Sequence, residues 1–400
     1  MESIILFSML LSTKYMLPSV LGISKYLLFI AMILNVIGVL WNSFSHQWMT
    51  KSKLVVIALS FVTMLLINVA KLNSDLFSLD DLYPTDIFIF SAILVIISTQ
   101  YKLLRNAVIK YLNLNALVIS FGVVLFLLDT FKLINPIGLV SAPDHANLDG
   151  YQNLYYLAYY PSWISFDISG IVIHRFASVF WEPGTLGLYL IAFILIEALF
   201  FVYKYELFNR RRGAVFLISG ILSLSLLFYL LIFPVILFIL FYNKKWVALS
   251  IIITIIALAL IYFYDQLYNL IFYRLEFDSE RGFVGNNRSS AFDIMLSSMT
   301  NTDWITVLVG YGPKAVFLGD STSFPIKIYQ RGLLGAGGLV LLIIYSTLVF
   351  PRYKIAKLFA FMLMFGLFFL TQIEGAIISL YFIILMLTSN TEFYKPMNKV

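Results

Sequence analysis

Apolar runs follow one another along almost the whole chain. They lie near residues 4–21, 25–41, 53–70, 86–99, 113–132 and 183–203, then 213–242, 246–264, 331–350, 355–370 and 375–389. A helix of about 20 apolar residues spans a hydrocarbon core ~30 Å thick. In that solvent each backbone must satisfy its own hydrogen bonds, which leaves helices and closed barrels. The runs are continuous and lack the period-two alternation of a membrane barrel, so the expectation is an all-α polytopic membrane protein. With 61% hydrophobic and 12% charged residues, the sequence has too little polar surface to dissolve otherwise. The first run opens MES without a basic stretch before it. It is expected to stay as the first membrane helix and not to be cleaved as a signal peptide.

The loops between the runs set a topology. Lys51 with Lys53, then Lys102, Arg105 and Lys110, then Lys204 with Arg210, Arg211 and Arg212 mark cytoplasmic turns by the positive-inside rule. The segment with Asp75, Asp80, Asp81 and Asp86 falls outside. The net charge of +6 comes mostly from these short loops, so nucleic acid is not needed to explain it. Basic clusters at 210–212 and at Lys244 with Lys245 both ask to be inside, although the block 213–242 lies between them. One straight helix of that length would run about 45 Å and strand one cluster outside. Two short helices bending within "SGILSLSLL" would enter and return; a single tilted helix kinked at Pro234 is the alternative. Counting the hairpin gives about twelve transmembrane helices, with both termini in the cytoplasm. Two long external loops, about 133–182 and 265–330, are embedded in one membrane domain over 1–400.

The first long loop reads "SAPDHANLDGYQNLYYLAYYPSWISFD", in which Asp144, His145, Asp149 and Asp167 mix with Tyr151, Tyr160, Trp163 and other aromatics. Such rings can stack on the C–H faces of sugars. They are equally the aromatic belt that membrane proteins keep at an interface. Three histidines in the whole chain, and no second ligand at helical spacing, give no metal site. Without cysteine there is no disulfide, thiolate nucleophile or cysteine metal site.

The loop closes on "HRFASVFWEPGTLGLYL". Pro183 suits the first position of a helix, where its missing N–H would be unpaired anyway. Glu182 then stands at the helix mouth, where the dipole favours its ionised form. In the plain reading Glu182 caps, Arg175 reaches lipid phosphate and Trp181 anchors the interface; in the other, His174, Arg175 and Glu182 belong to a site.

The second loop carries Arg274, Arg281 and Arg288 at intervals of seven, but Gly282, Gly285 and Asn286–Asn287 argue against one continuous helix. Ser290 followed by Asp293 is a capping-box pattern that starts a short helix at about 291. That would set Arg288 beside free helix N–H groups, a combination suited to phosphate. Downstream, "GYGPKAVF" supplies Lys314 in a Gly-flanked turn, and "QRGLLGAGGL" allows close helix packing. No Walker loop, zinc-protease motif or nucleophile elbow occurs. Inside the runs, Lys14, Asp129 and Glu197 are the few ionisable residues at mid-depth, which argues against an ion-coupled transporter.

Arg175, Ser178, Phe180, Glu182 and Pro183, then Arg288, Gly310 and Gly312, then Gly332 to Gly335 follow an order that resembles the bacterial O-antigen polymerase and ligase superfamily. The likeness covers the layout from about 86 to 350. It implies a GT-C-like inverting membrane glycosyltransferase in the bacterial inner membrane, with its active site facing the periplasm or exterior and no cofactor. The donor would be an oligosaccharide on polyprenyl pyrophosphate and the acceptor another lipid-linked repeat unit. The product would be O-antigen, capsule or a related polysaccharide, and the partners membrane lipid and a chain-length regulator protein. On this reading Arg175, Arg288 and Arg281 hold the pyrophosphate, with Arg274, His174, Lys314, Tyr160 and Trp163 toward the substrate. Glu182 either orients Arg175 or acts as base, and pairing with Arg175 would lower its pKa and weaken it as a base. Ligases commonly place a histidine before the Gly-rich helix; "DSTSFPIKIYQRGLLG" has none, which favours a polymerase. A flippase for lipid-linked oligosaccharide and a non-catalytic export scaffold are the other classes that fit a polytopic chain.

Overall fold

The computed structural model describes residues 1–43, 50–69, 84–140, 150–162, 165–168, 171–202, 209–242, 244–247, 250–251, 253–254, 258, 261, 277–278, 282–283, 288–312, 315, 317, 324–352, 354–365 and 375–389. The first half of the chain forms helices α1 (Glu2–Ser12), α2 (Met16–Val20), α3 (Ser24–Ser43), α4 (Lys51–Val69), α5 (Pro84–Ser98) and α6 (Tyr101–Thr130). Strands β1 (Gly138–Val140), β2 (Tyr151–Leu154), β3 (Ala158–Pro161), β4 (Ser165–Ile168) and β5 (Ile171–His174) come next. They lead into α7 (Pro183–Val202), α8 (Arg210–Leu222) and α9 (Leu226–Tyr242). The remainder holds β6 (Phe277–Asp278), β7 (Gly282–Phe283), α10 (Arg288–Thr300), α11 (Trp304–Val309), α12 (Phe324–Val349), α13 (Lys354–Phe365) and α14 (Gly375–Ser389).

Four described helices are long and apolar enough to cross a membrane: Ser24–Asn42, Tyr101–Thr130, Pro183–Phe201 and Phe324–Val349. Shorter apolar helices, including α1, α9 and α14, pack among them. Helix α14 is buried from Gly375 to Thr388 and packs on α5, α7 and α13. By contrast α3 turns Phe29, Ile33, Val36 and Leu40 outward, a row of large apolar side chains that suits lipid and not water. The protein is a mainly helical, membrane-type fold.

It is not all-α. The first long loop folds into an antiparallel sheet in the order β1–β2–β3 and a hairpin of β4 with β5; a second small hairpin joins β6 to β7. Tyr, Val and Ile in short alternation favour strands. Strands β6 and β7 lie in the segment that carries the arginines spaced by seven, of which Arg274 and Arg281 lie outside the described residues.

Several run boundaries move. The segment 4–21 is not one helix, because it breaks at residues 13–15. Ser12 and Thr13 turn their hydroxyls back to Met9 O at 3.1 and 2.7 Å and close α1 there. Helix α6 begins at Tyr101, so Lys102, Arg105 and Lys110 ride on its first turns instead of forming a loop; Lys and Arg are good helix formers and no breaker intervenes. Lys110 then reaches Glu2 of α1 at 2.7 Å. The block 213–242 does split, at Ser223–Ser225, and both α8 and α9 pack on α7. Pro234 lies inside α9 without ending it. Helix α10 starts at Arg288, so Ser290 sits within its first turn and is not its cap.

Charges expected in solvated loops are drawn into the interior. Arg212 is buried against Glu197 of α7 and donates to Asn113 Oδ1 at 2.6 Å, while Asn209 caps α8 by accepting from Arg211 N and Arg212 N. Asp86, expected among exposed acids, is buried in the first turn of α5 and pairs with Arg331 of α12 at 2.8 Å. Helix α12 starts at Phe324, ahead of the apolar run at 331, and is interrupted at Gly332, whose φ of 64° and ψ of −178° are not helical.

Candidate functional site

Residues 175–181 form an irregular strip, with a turn in which Phe180 N donates to Ala177 O at 3.1 Å, that is hydrogen-bonded on several sides. Ala177 N donates to Tyr159 O at 2.9 Å and Tyr159 N to Ser178 O at 2.8 Å, which ties the strip to β3. Met16 N donates to Val179 O at 2.7 Å and Trp181 N to Lys14 O at 3.2 Å, which ties it to the break between α1 and α2. Phe176 N donates to Leu222 O at 3.1 Å, at the end of α8. Gly122 of α6 lets this layer approach; a Cβ there would stand 2.8 Å from Leu157 O and 3.1 Å from Ser178 Oγ.

This strip fixes the two residues that the sequence singled out. Arg175 is half-buried and its Nε donates to Ser223 O at 3.4 Å, a carbonyl left over where α8 ends. Glu182 is exposed at the mouth of α7, its carbonyl accepts from Leu186 N at 3.0 Å and its carboxylate accepts from Thr185 Oγ1 at 3.3 Å. The helix-mouth position of Glu182 and the first-residue position of Pro183 are as the motif implies. The hydroxyl of Tyr151 in β2 feels both groups. Burial pushes its pKa up, the Glu182 carboxylate pushes it further, and the Arg175 guanidinium opposes. A protonated, 3% exposed Tyr151 therefore stands within electrostatic reach of a cation and an anion of the motif.

Trp181 is more than an interfacial anchor. Its indole N–H donates to Tyr15 O at 2.9 Å, and the Lys14 ammonium lies 4.0 Å from its ring centroid. Trp181, Tyr151, Tyr159, Met16 and Ala177 share a small apolar cluster apart from the main core. Lys14 and Tyr151 were not among the expected site residues. The available signal was a lysine inside an apolar run, which has to be compensated somewhere.

A second group lies on the other side of β3. Tyr160 is 5% exposed, and burial together with a hydrogen bond to Asp129 raises its pKa. His174 stacks on the Tyr160 ring with centroids 4.4 Å apart at 23°. His174 Nδ1 is buried with no hydrogen-bond partner among the described residues.

The second long loop enters this picture only in part. Arg274, Arg281, Lys314 and Trp163 lie outside the described residues, as do Asp144, His145 and Asp149. Arg288 opens α10, which packs on α12. The two glycine motifs do meet: Tyr311 N donates to Tyr329 O at 2.9 Å and Gly312 N to Gln330 O at 3.0 Å, and Tyr311 stacks on Tyr329 at 4.4 Å. Gly310 and Gly332 touch backbone to backbone, with φ of 84° and 64°, and a Cβ on either would overlap the other's segment. The ion pair of Arg331 with Asp86, one residue from that contact, is the functional-looking feature that the sequence pattern concealed under "QRGLLG".

The arrangement around Trp181 and Tyr151 can hold an oxyanion through Arg175 and offers the Glu182 carboxylate as a proton acceptor. No family model, no curated protein and no solved structure matches this chain.

Proposed function

We propose that the protein is a polytopic membrane glycosyltransferase of the polysaccharide-polymerase kind, with about twelve crossings and a GT-C-like organisation. Its site opens at the outer face of a bacterial inner membrane. The observation that carries this reading is that one hydrogen-bonded strip ends at both charged residues of the motif, Arg175 half-buried on Ser223 O and Glu182 exposed at the mouth of α7, within the motif whose resemblance points to that chemistry.

In the reaction, an acceptor sugar hydroxyl on one lipid-linked repeat unit attacks the anomeric carbon of a glycan chain on polyprenyl pyrophosphate. The new glycosidic bond forms as the carbon–oxygen bond to pyrophosphate breaks, and polyprenyl pyrophosphate leaves. Negative charge builds on the leaving oxygens, so a fixed guanidinium there lowers the barrier; Arg175 takes that role, with Arg288 and Arg281 as the second loop's contribution. Glu182, exposed and held by Thr185, takes the acceptor's proton. His174, held by stacking on the buried Tyr160 ring, is the partly exposed ring offered to sugar on this side of β3.

A flippase for lipid-linked oligosaccharide is the second reading, and the buried Asp86–Arg331 pair between helices is the feature that favours it. The cavity beside Asp86, lined by Ser60, Thr63 and Leu342, is about 20 Å³. That is room for about one water and not a sugar, so the pair serves better as a helix lock. The test is the chain-length distribution of surface polysaccharide in cells carrying Arg175→Ala or Arg288→Ala at normal expression. Loss of long chains is expected; undiminished long chains would remove these arginines from the mechanism.

A further inference from the structure

Tyr311 stands inside the first glycine motif, and three separate contacts hold it still. Helix α12 is interrupted at Gly332, so the carbonyls just before the break are released from the helix's own ladder. Tyr329 O accepts from Tyr311 N at 2.9 Å, and Gln330 O accepts from Gly312 N at 3.0 Å. The Tyr311 hydroxyl donates to Ser298 O of α10 at 2.9 Å. Its ring lies on Tyr329 with centroids 4.4 Å apart and planes at 21°, and Phe317 backs Tyr329 at 5.2 Å. The close approach of Gly310 and Gly332 is what lets the two segments pair this tightly.

Despite these restraints Tyr311 is 37% exposed. Tyr329 covers one face and Ser298 engages the hydroxyl, which leaves the opposite face and its edges to the surroundings. Rings of an interfacial belt point their polar tips at water and headgroups. Here the tip is turned onto a backbone carbonyl, and what faces outward is bare ring. Asn301 and Asp303, just beyond Ser298 along the chain, are exposed. They offer hydrogen-bonding groups that a hydroxylated ligand can use and an acyl chain cannot.

We propose that Tyr311, backed by Tyr329 and Phe317, is a stacking platform for a pyranose ring of the glycan substrate, placed at the mouth of α12. This rests on the glycosyltransferase reading, and gives that reading's substrate a sugar subsite in the second long loop. The C–H face of the pyranose lies on the free face of Tyr311, while the hydroxyls around its rim keep their contact with water and polar side chains. A ring that is already immobilised loses little freedom when the sugar arrives, so more of the stacking energy is kept as affinity. The glycine crossing becomes the mount of the platform.

The test uses the full chain in phosphatidylcholine nanodiscs. The probe is the oligosaccharide that mild acid releases from the lipid-linked fraction of cells expressing the protein. Hydroxyl-radical footprinting, read by mass spectrometry, needs no variant. Without oligosaccharide, Tyr311 should be oxidised at a rate comparable to Tyr155, which is exposed in the turn between β2 and β3. Saturating oligosaccharide should slow oxidation of Tyr311 several-fold. Tyr311→Ala should bind the oligosaccharide at least about fivefold more weakly, the scale for truncating one packed aromatic contact. Tyr311→Phe keeps the ring and should bind nearly as well as the wild type.

Oxidation of Tyr311 that oligosaccharide leaves unchanged, or equal binding by the wild type and Tyr311→Ala, overturns the platform. A Tyr311 that resists oxidation before oligosaccharide is added is covered by lipid, and that overturns it as well. Kinetics of the reconstituted reaction separate the platform from the reading it rests on. Tyr311→Ala should raise KM for the lipid-linked repeat unit several-fold with kcat nearly kept, whereas Arg175→Ala lowers kcat. If Arg175→Ala is slow while Tyr311→Ala has wild-type kinetics, the platform falls and the glycosyltransferase reading stands. If oligosaccharide protects Tyr311 but the wild type extends no chain, the platform stands and the glycosyltransferase reading falls.

Discussion

Asp86 and Arg331 form an ion pair of 2.8 Å whose side chains are 3% and 2% exposed, joining the first turn of α5 to the stretch of α12 just before its break. Two charges taken out of solvent stabilise only as a pair. Removing one partner leaves the other uncompensated at roughly 3–5 kcal/mol, whereas replacing both by apolar groups is close to neutral. Asp86→Ala or Arg331→Ala should therefore lower the thermal midpoint of the detergent-solubilised protein strongly. The double variant Asp86→Leu with Arg331→Met should recover most of it. Single variants as stable as the wild type would remove the pair as a lock between α5 and α12.

Gly310→Ala and Gly332→Ala should each destabilise by more than about 1 kcal/mol, the usual scale where a side chain enters a left-handed backbone position. Backbone contact between the two segments adds to it, since the new Cβ meets carbonyl and amide atoms that cannot rotate away. Gly337, where a Cβ would meet nothing within 4 Å, is the internal control. Gly337→Ala should be neutral or slightly stabilising in the same melting assay.

Tyr151 and Tyr160 lead to a pH prediction with a definite sign. Burial raises both hydroxyls above the unfolded value of about 10. A group whose folded pKa is raised stabilises the fold below its unfolded pKa, and that contribution is lost as pH rises through the folded value. Stability of the β1–β2–β3 layer should hold up to about pH 10 and fall above it. In Tyr151→Phe the alkaline fall should be shallower, measured by hydrogen exchange of residues 151–161. An unchanged alkaline profile would mean that Tyr151 does not ionise on unfolding.

The helical membrane character was legible because lipid tolerates little else, and the bend within "SGILSLSLL" was legible from the basic clusters that flank one apolar block at both ends. What the sequence hid was where charge goes when helices pack. Arg212 looked like a topology marker and is buried against Glu197; Asp86 looked like a loop acid and meets Arg331 across more than two hundred residues. Such partners are set by tertiary packing, which local patterns do not encode. The aromatic loop read as belt or sugar platform and carries strands, since a Tyr-rich segment serves both purposes. The motif at 175–183 pointed to Arg175 and Glu182, while Lys14, distant along the chain, meets Trp181 beside a backbone bridge that no spacing rule reveals.

The central claim is that Arg175 stabilises a pyrophosphate leaving group, and reconstitution tests it most directly. Wild-type protein in liposomes, given a defined polyprenyl-pyrophosphate-linked repeat unit, should convert it to a ladder of longer lipid-linked glycans and release polyprenyl pyrophosphate. Arg175→Ala should slow that conversion by on the order of 100-fold or more, the scale for loss of one preorganised charge donor. A wild type that leaves the repeat unit unextended, or an Arg175→Ala variant that builds the ladder at the wild-type rate, would contradict the account.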